Sequence, residues 1–81
     1  MKIQVTQRDI SLANKRKNLD MGRIHNCPIA LAFKRVTKGK CSVGITSATI
    51  RGRSVNLPNI ATRNINKWDA GKRMYPFTFE I

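Results

Sequence analysis

The sequence predicts a small α+β domain, with a mostly antiparallel sheet of about three or four strands and two or three helices packed on one face. Three observations predict it. Short runs of apolar–polar alternation stand at both ends of the chain and in its middle. Two segments between them repeat apolar residues at helical spacing. Finally, 81 residues at 41% hydrophobic content are too few for a second domain and too apolar for a disordered chain, so residues 1–81 are read as one domain with a thin core.

The first strand is Lys2 to Val5, where Ile3 and Val5 alternate with Lys2 and Gln4. Thr6-Gln7-Arg8-Asp9 then reads as a capping box, with Val5 and Ile10 placed as a hydrophobic staple, so a helix starts at about Gln7. Apolar spacing decays after Ala13 and Gly22 interrupts the segment, so residues 14–26 are expected to form a basic, polar connection that could be mobile. Cys27-Pro28 opens the clearest helix, because the missing N–H of proline costs nothing in a first turn. Ile29, Phe33 and Val36 fall on one face of it, Ala30, Leu31 and Ala32 fill the rest of its first turns, and Gly39 is the expected left-handed residue behind it.

A β-hairpin is expected next, pairing Cys41–Ile45 with Ala48–Arg51 through a turn at Thr46-Ser47, with Gly52 allowing a sharp bend. Pro58 starts another helix and Gly71 ends it, with Ala61, Ile65 and Trp68 on its apolar face. Phe77-Thr78-Phe79-Glu80-Ile81 is the strongest strand signal, with Phe77, Phe79 and Ile81 on one side. The order is compatible with a split βαβ arrangement, the terminal strands lying inside or beside the hairpin.

These same landmarks carry a resemblance. Val5-Thr6 with Asp9-Ile10, Asn26-Cys27-Pro28-Ile29-Ala30-Leu31-Ala32, Leu57-Pro58, Trp68-Asp69-Ala70-Gly71 and Pro76-Phe77-Thr78-Phe79 together resemble small phage and prophage proteins of mostly unassigned function. The resemblance spans nearly the whole chain in outline, and its most specific pieces are the Cys-Pro-Ile-Ala-Leu-Ala helix start and the C-terminal Pro-Phe-x-Phe strand. It implies a compact phage accessory protein in the cytoplasm of a bacterial host and carries over no catalytic residue. The relatives it points to are less basic than this chain.

Chemistry-bearing constellations are sparse. The acids Asp9, Asp20, Asp69 and Glu80 are scattered, so no carboxylate pair is expected to do acid–base work. His25 and Cys27 could form a thiolate–imidazolium pair, but the plainer reading makes Cys27 a small apolar residue in a helix start and His25 a loop residue. With Cys41 they are the only soft metal ligands, short of the four that structural zinc takes. The two cysteines are expected as buried thiols without a disulfide. Arg8 and Asn56 are the residue types of an acylphosphatase-like phosphate cradle, yet Arg8 falls inside the capping box. The five glycines are dispersed and make no phosphate loop. The protein is therefore read as non-enzymatic, without metal or cofactor.

Charge is the main functional signal. Sixteen Lys and Arg stand against 4 acids, a formal charge of +12. Such a surplus strains the compact state through self-repulsion and suits a polyanionic partner. The cations form groups: Lys15, Arg16 and Lys17 with Arg23; Lys34, Arg35, Lys38 and Lys40; Arg51 with Arg53; and Lys67 with Lys72 and Arg73. Several sit in last helical turns, where they complement the macrodipole. Others do not fit that explanation. Lys34 with Lys38, and Arg63 with Lys67, are like-charged i, i+4 pairs, which cost about 0.2–0.5 kcal/mol each. Arg51 and Arg53 are two apart and would share one side of an extended chain. Asn14, Asn18, Asn59, Asn64 and Asn66 interleave with the cations and can bond phosphates or base edges.

The expected binding set is therefore Lys15, Arg16, Lys17, Arg23, Lys34, Lys38, Arg51, Arg53, Arg63, Lys67, Lys72 and Arg73. Phe77, Phe79 and Trp68 are expected in the core and Tyr75 on the surface. Weak aromatic display favours backbone-dominated contact with little sequence preference, duplex DNA first and RNA second. The alternative is an inhibitor or modulator of a host nucleoprotein complex (an anti-CRISPR, anti-restriction or transcription factor) acting by protein–protein contact. No run approaches a membrane span, the N-terminus lacks the apolar stretch of a secretory signal, and the basic segment at residues 14–18 lacks an apolar face, so no membrane partner is expected. An exposed edge on the C-terminal strand would allow pairing with a second copy.

Overall fold

The computed structural model describes residues 1–16 and 27–81. Its elements are β1 (Lys2–Val5), α1 (Gln7–Arg16), α2 (Pro28–Thr37), β2 (Cys41–Val43), β3 (Ser47–Ile50), β4 (Arg53–Asn56), α3 (Asn59–Asp69) and β5 (Phe77–Glu80). The α+β class read from the sequence holds. The strands divide into two antiparallel ladders, a two-stranded sheet β1-β5 and a three-stranded sheet β2-β3-β4. The terminal strands thus pair with each other, Ile3 opposite Phe79 and Val5 opposite Phe77, rather than with the hairpin as a split βαβ unit would have them.

Helix α2 joins the two ladders, packing on α1, β1 and β2. Every residue from Pro28 to Phe33 is buried, which is why its first turns are apolar all round. Phe33 meets Phe79 of β5 edge to face at 5.8 Å, and Phe77 stacks on Phe79 at 5.8 Å, so the C-terminal strand is pinned to the central helix by aromatic contact. Val36, expected on the buried face, is instead 38% exposed and lines an open groove with Ile50 and Val55.

The capping box forms as read: the Asp9 N–H donates to Thr6 Oγ1 at 3.2 Å and the Thr6 N–H donates to Asp9 Oδ2 at 3.0 Å. α1 runs one turn further than the sequence suggests, through Asn14 to Arg16, because Trp68 Nε1 donates to Asn14 Oδ1 at 2.8 Å and holds that turn from α3. The remainder of the expected basic connection, residues 17–26, lies outside the described residues. At the end of α2 the left-handed residue is Lys38, φ 54°, whose N–H returns to the Lys34 carbonyl; Gly39 does not take that role.

The hairpin is closed earlier than expected. The Gly44 N–H bonds the Ser47 carbonyl at 2.8 Å, so the turn is Gly44–Thr46, Ser47 begins β3, and Ile45 is half exposed rather than on the apolar face. The sheet then gains a third strand. Arg51 (φ 51°) and Gly52 (φ 81°) are the two central residues of a hairpin turn with both φ positive, and Ile50 pairs with Arg53 across it. Arg51 is therefore a turn residue, and the expected extended 51–53 segment does not exist. α3 ends in a Schellman arrangement: Gly71 (φ 79°) donates to the Trp68 carbonyl and Lys72 N–H to the Lys67 carbonyl at 2.9 Å.

Candidate nucleic-acid interface

A site for a polyanion depends on which cations are already engaged inside the fold. Arg35 is engaged. Its Nη2 donates to Asp9 Oδ2 at 3.0 Å and to the Gln4 carbonyl at 2.7 Å, joining α2 to β1 and to the start of α1. Burial pushes the Asp9 carboxyl up, but the Arg35 hydrogen bond, the two Thr6 hydrogen bonds and the Arg35 charge outweigh it and hold it below the ordinary 3.8. Arg51 is engaged as well: its Nη2 donates to the Thr37 carbonyl, the last of α2, a cation on the negative end of the helix dipole. Lys34 is half-buried at the last turn of α2.

The other described cations of the expected set fall into two zones, the second of which also includes Lys40 and the engaged Arg51. The first begins on the outer stripe of α3, where Arg63 and Lys67 are exposed one turn apart. It continues through Lys72, whose backbone is bonded to Lys67, to the exposed Arg73. The Trp68–Asn14 hydrogen bond brings the last turn of α1, with exposed Lys15 and half-buried Arg16, to the same end of α3. Between them lies a cleft of about 690 Å³, walled on one side by Gln7 and Asn14 of α1 and on the other by Lys72, Arg73 and Tyr75. Its floor is apolar: Ile10, Trp68 and Met74 are each at most 3% exposed.

The second zone gathers Lys38, Lys40, Arg51 and Arg53 where α2 meets the hairpin, since Arg51 touches Thr37 with its side chain and Lys40 with its backbone N–H. Arg51 and Arg53 edge a second, more open groove of about 650 Å³ with an apolar lining that includes Val36, Ile50 and Val55. The two depressions share no residue, so Arg51 and Arg53 edge a different groove from the one that Lys72 and Arg73 line. Lys17 and Arg23, together with His25 and Asp20, lie outside the described residues.

Trp68 and Phe79 are buried and Tyr75 is 66% exposed, each as the sequence suggested, whereas Phe77, expected in the core, is only partly buried and stacks on Phe79. The contribution of Tyr75 to a cleft, and that of Gln7, were missed. The available signal was Gly71: a left-handed turn there swings Lys72–Tyr75 back across the helix end. Both cysteines are buried and neither is in a disulfide. Cys27 caps α2, its Sγ accepting from the Ala30 N–H at 3.4 Å, while Cys41 Sγ donates to the Ala30 carbonyl at 3.3 Å. Burial pushes the Cys41 thiol up, against the opposing charge of Lys34, so it is held neutral at ordinary pH. Among the described residues, no three His, Cys, Asp or Glu side chains gather as a metal site, and no helix is long and apolar enough to cross a membrane. No protein-family model matches the chain, and no curated protein or solved structure matches it.

Proposed function

We propose that this protein binds nucleic acid chiefly through phosphate contacts, with little sequence preference, on the zone formed by Lys15, Arg16, Arg63, Lys67, Lys72 and Arg73. The observation that carries this reading is the run of exposed cations along α3 into the cleft. It lies on a chain with 16 Lys and Arg against 4 acids, and Asp9, the one buried acid among the described residues, is already paired with Arg35. A phosphate backbone neutralises such a zone and releases its own counterions. The resemblance to phage accessory proteins rests on the motifs quoted above, and a cytoplasmic role in a bacterial host belongs to the same proposal. Duplex DNA is the first ligand to test and structured RNA the second.

Filter binding across a salt series is the test. With about five phosphates neutralised, the log–log slope for duplex DNA is expected near −4 to −5. Absence of retention at low salt overturns the proposal. The second reading, a modulator that grips a host complex through protein contact, is favoured by the apolar groove beside Arg51 and Arg53. A pull-down from host lysate with and without nuclease separates the two: nuclease-resistant recovery of a single host protein favours the second reading, and indiscriminate nuclease-sensitive recovery favours the first.

A further inference from the structure

We infer that the cleft between α1 and the 71–75 segment holds an unpaired nucleotide, its base against the Tyr75 ring and its phosphates on Lys72 and Arg73. The inference rests on the nucleic-acid reading and narrows it to strands that can present a free base.

The cleft brings together the chemistry that a nucleotide requires. Its volume, about 690 Å³, is in the range of roughly 300–1,000 Å³ that small-molecule sites span. The ring on its edge is 66% exposed, next to the buried Met74. Every base has a π-face, so a displayed ring is a sequence-tolerant stacking platform. Lys72 and Arg73 stand three and two residues before that ring, cations beside a stacking face. The opposite wall supplies amides. Trp68 Nε1 takes Asn14 Oδ1 as its acceptor, which fixes that side chain and turns its Nδ2 into the group that can donate to a base edge or a phosphate.

The shape of the ligand follows. An intact duplex offers this zone its phosphates, but its bases are stacked inside and cannot reach Tyr75. A single strand, a gap or a frayed end can supply both. Single strands are therefore expected to bind more tightly than duplex of the same length at the same salt, although the duplex carries the denser charge.

The test is fluorescence anisotropy with a labelled single strand and the matching duplex, at one low salt concentration, on the full chain and on two variants. Tyr75→Ala is expected to weaken single-strand binding by about 5- to 150-fold, the size of one base–aromatic stack, and to leave duplex binding within about twofold. Tyr75→Phe keeps the ring and is expected to bind like the parent. Far-UV circular dichroism and the emission of Trp68, the only tryptophan, confirm that each variant is folded. Equal loss for both ligands with Tyr75→Ala, or no loss for either, overturns the inference while the phosphate-binding reading stands. Failure of the parent protein to bind either ligand overturns both.

Discussion

Asp9→Ala tests whether one buried carboxylate holds the N-terminal half of the fold together. The carboxylate does two jobs. It caps α1 through the Thr6 N–H at 3.0 Å, and it receives Arg35 from α2, also at 3.0 Å. Loss of that return hydrogen bond, with the Thr6 Oγ1 cap left in place, costs about 0.5–1.5 kcal/mol. The ion pair is worth less than a fully buried one, because the Arg35 side chain is 48% exposed and can rehydrate, which leaves about 0.2–1 kcal/mol. The sum is about 0.7–2.5 kcal/mol, and in a domain of this size it lowers Tm by roughly 3–20 °C. Asp9→Asn keeps an oxygen for Thr6 and is expected to lose about half as much.

The pH dependence identifies the cause. The folded-state carboxyl is held below its ordinary 3.8, so the native state favours the carboxylate. Its stabilisation is complete above the unfolded pKa of about 3.9, and it is lost as pH falls through the lower folded value. Urea unfolding of parent and Asp9→Ala at neutral pH, and again in strong acid, is therefore expected to show a gap that closes on acidification. A gap of the same size at both pH values would refute the argument, since it would make the loss one of packing rather than of charge and cap.

Lys38→Gly is expected to stabilise the protein by about 1 kcal/mol, since a non-glycine residue at φ 54° carries a steric cost that glycine does not; the urea midpoint should rise with the slope unchanged. Asn14→Ala removes the acceptor of the Trp68 indole at 2.8 Å and is expected to cost about 1–2 kcal/mol, read by thermal unfolding, with a change in Trp68 emission. Lys72→Ala and Arg73→Ala are each expected to reduce the duplex salt slope by about 0.9 and to weaken binding without altering Tm; an unchanged slope in both would move the interface away from the cleft.

What was legible in the sequence is what is decided over a few residues. The capping box needs only Thr6 and Asp9, three apart, and Gly71 closes α3 with bonds that span one turn. The apolar stripe of Ala61, Ile65 and Trp68 is likewise a matter of spacing. Arg35 shows the limit. On sequence it is one more cation in a last helical turn, and its partner lies 26 residues away. The same holds for Asn14, whose indole partner is 54 residues distant and whose bond carries α1 past the point where its apolar spacing fails. β4 escaped notice because Arg53, Ser54 and Asn56 are exposed polar residues around a single half-buried Val55, so no alternation marks it. Its turn, Arg51-Gly52, also lacks the Asn-Gly or Asp-Gly signature of a tight hairpin. The grouping of Lys67, Lys72 and Arg73 was readable from the chain, whereas their separation from Arg51 and Arg53 depends on how two ladders pack around α2.

That separation changes what a charge of +12 means. The described fold measures 27 × 24 × 20 Å, while the Debye length at physiological salt is about 8 Å. Cations more than that length apart are screened from one another, so the net charge does not act as a single field on a contacting polymer. Each zone binds, or fails to bind, on its own density. Lys15, Arg16, Lys34, Arg35 and Lys67 sit in last helical turns, where about 0.3–1 kcal/mol each from the helix dipole accounts for them without a ligand. Arg51 is likewise accounted for by the Thr37 carbonyl. Arg63, Lys72 and Arg73 have no such internal return: Arg63 is mid-helix and a turn from another cation, and the other two stand on an exposed segment beside a displayed ring. Lys72 and Arg73, two cations that the fold does not use and that line the same cleft, are the physical reason for placing the ligand there rather than inferring it from net charge alone.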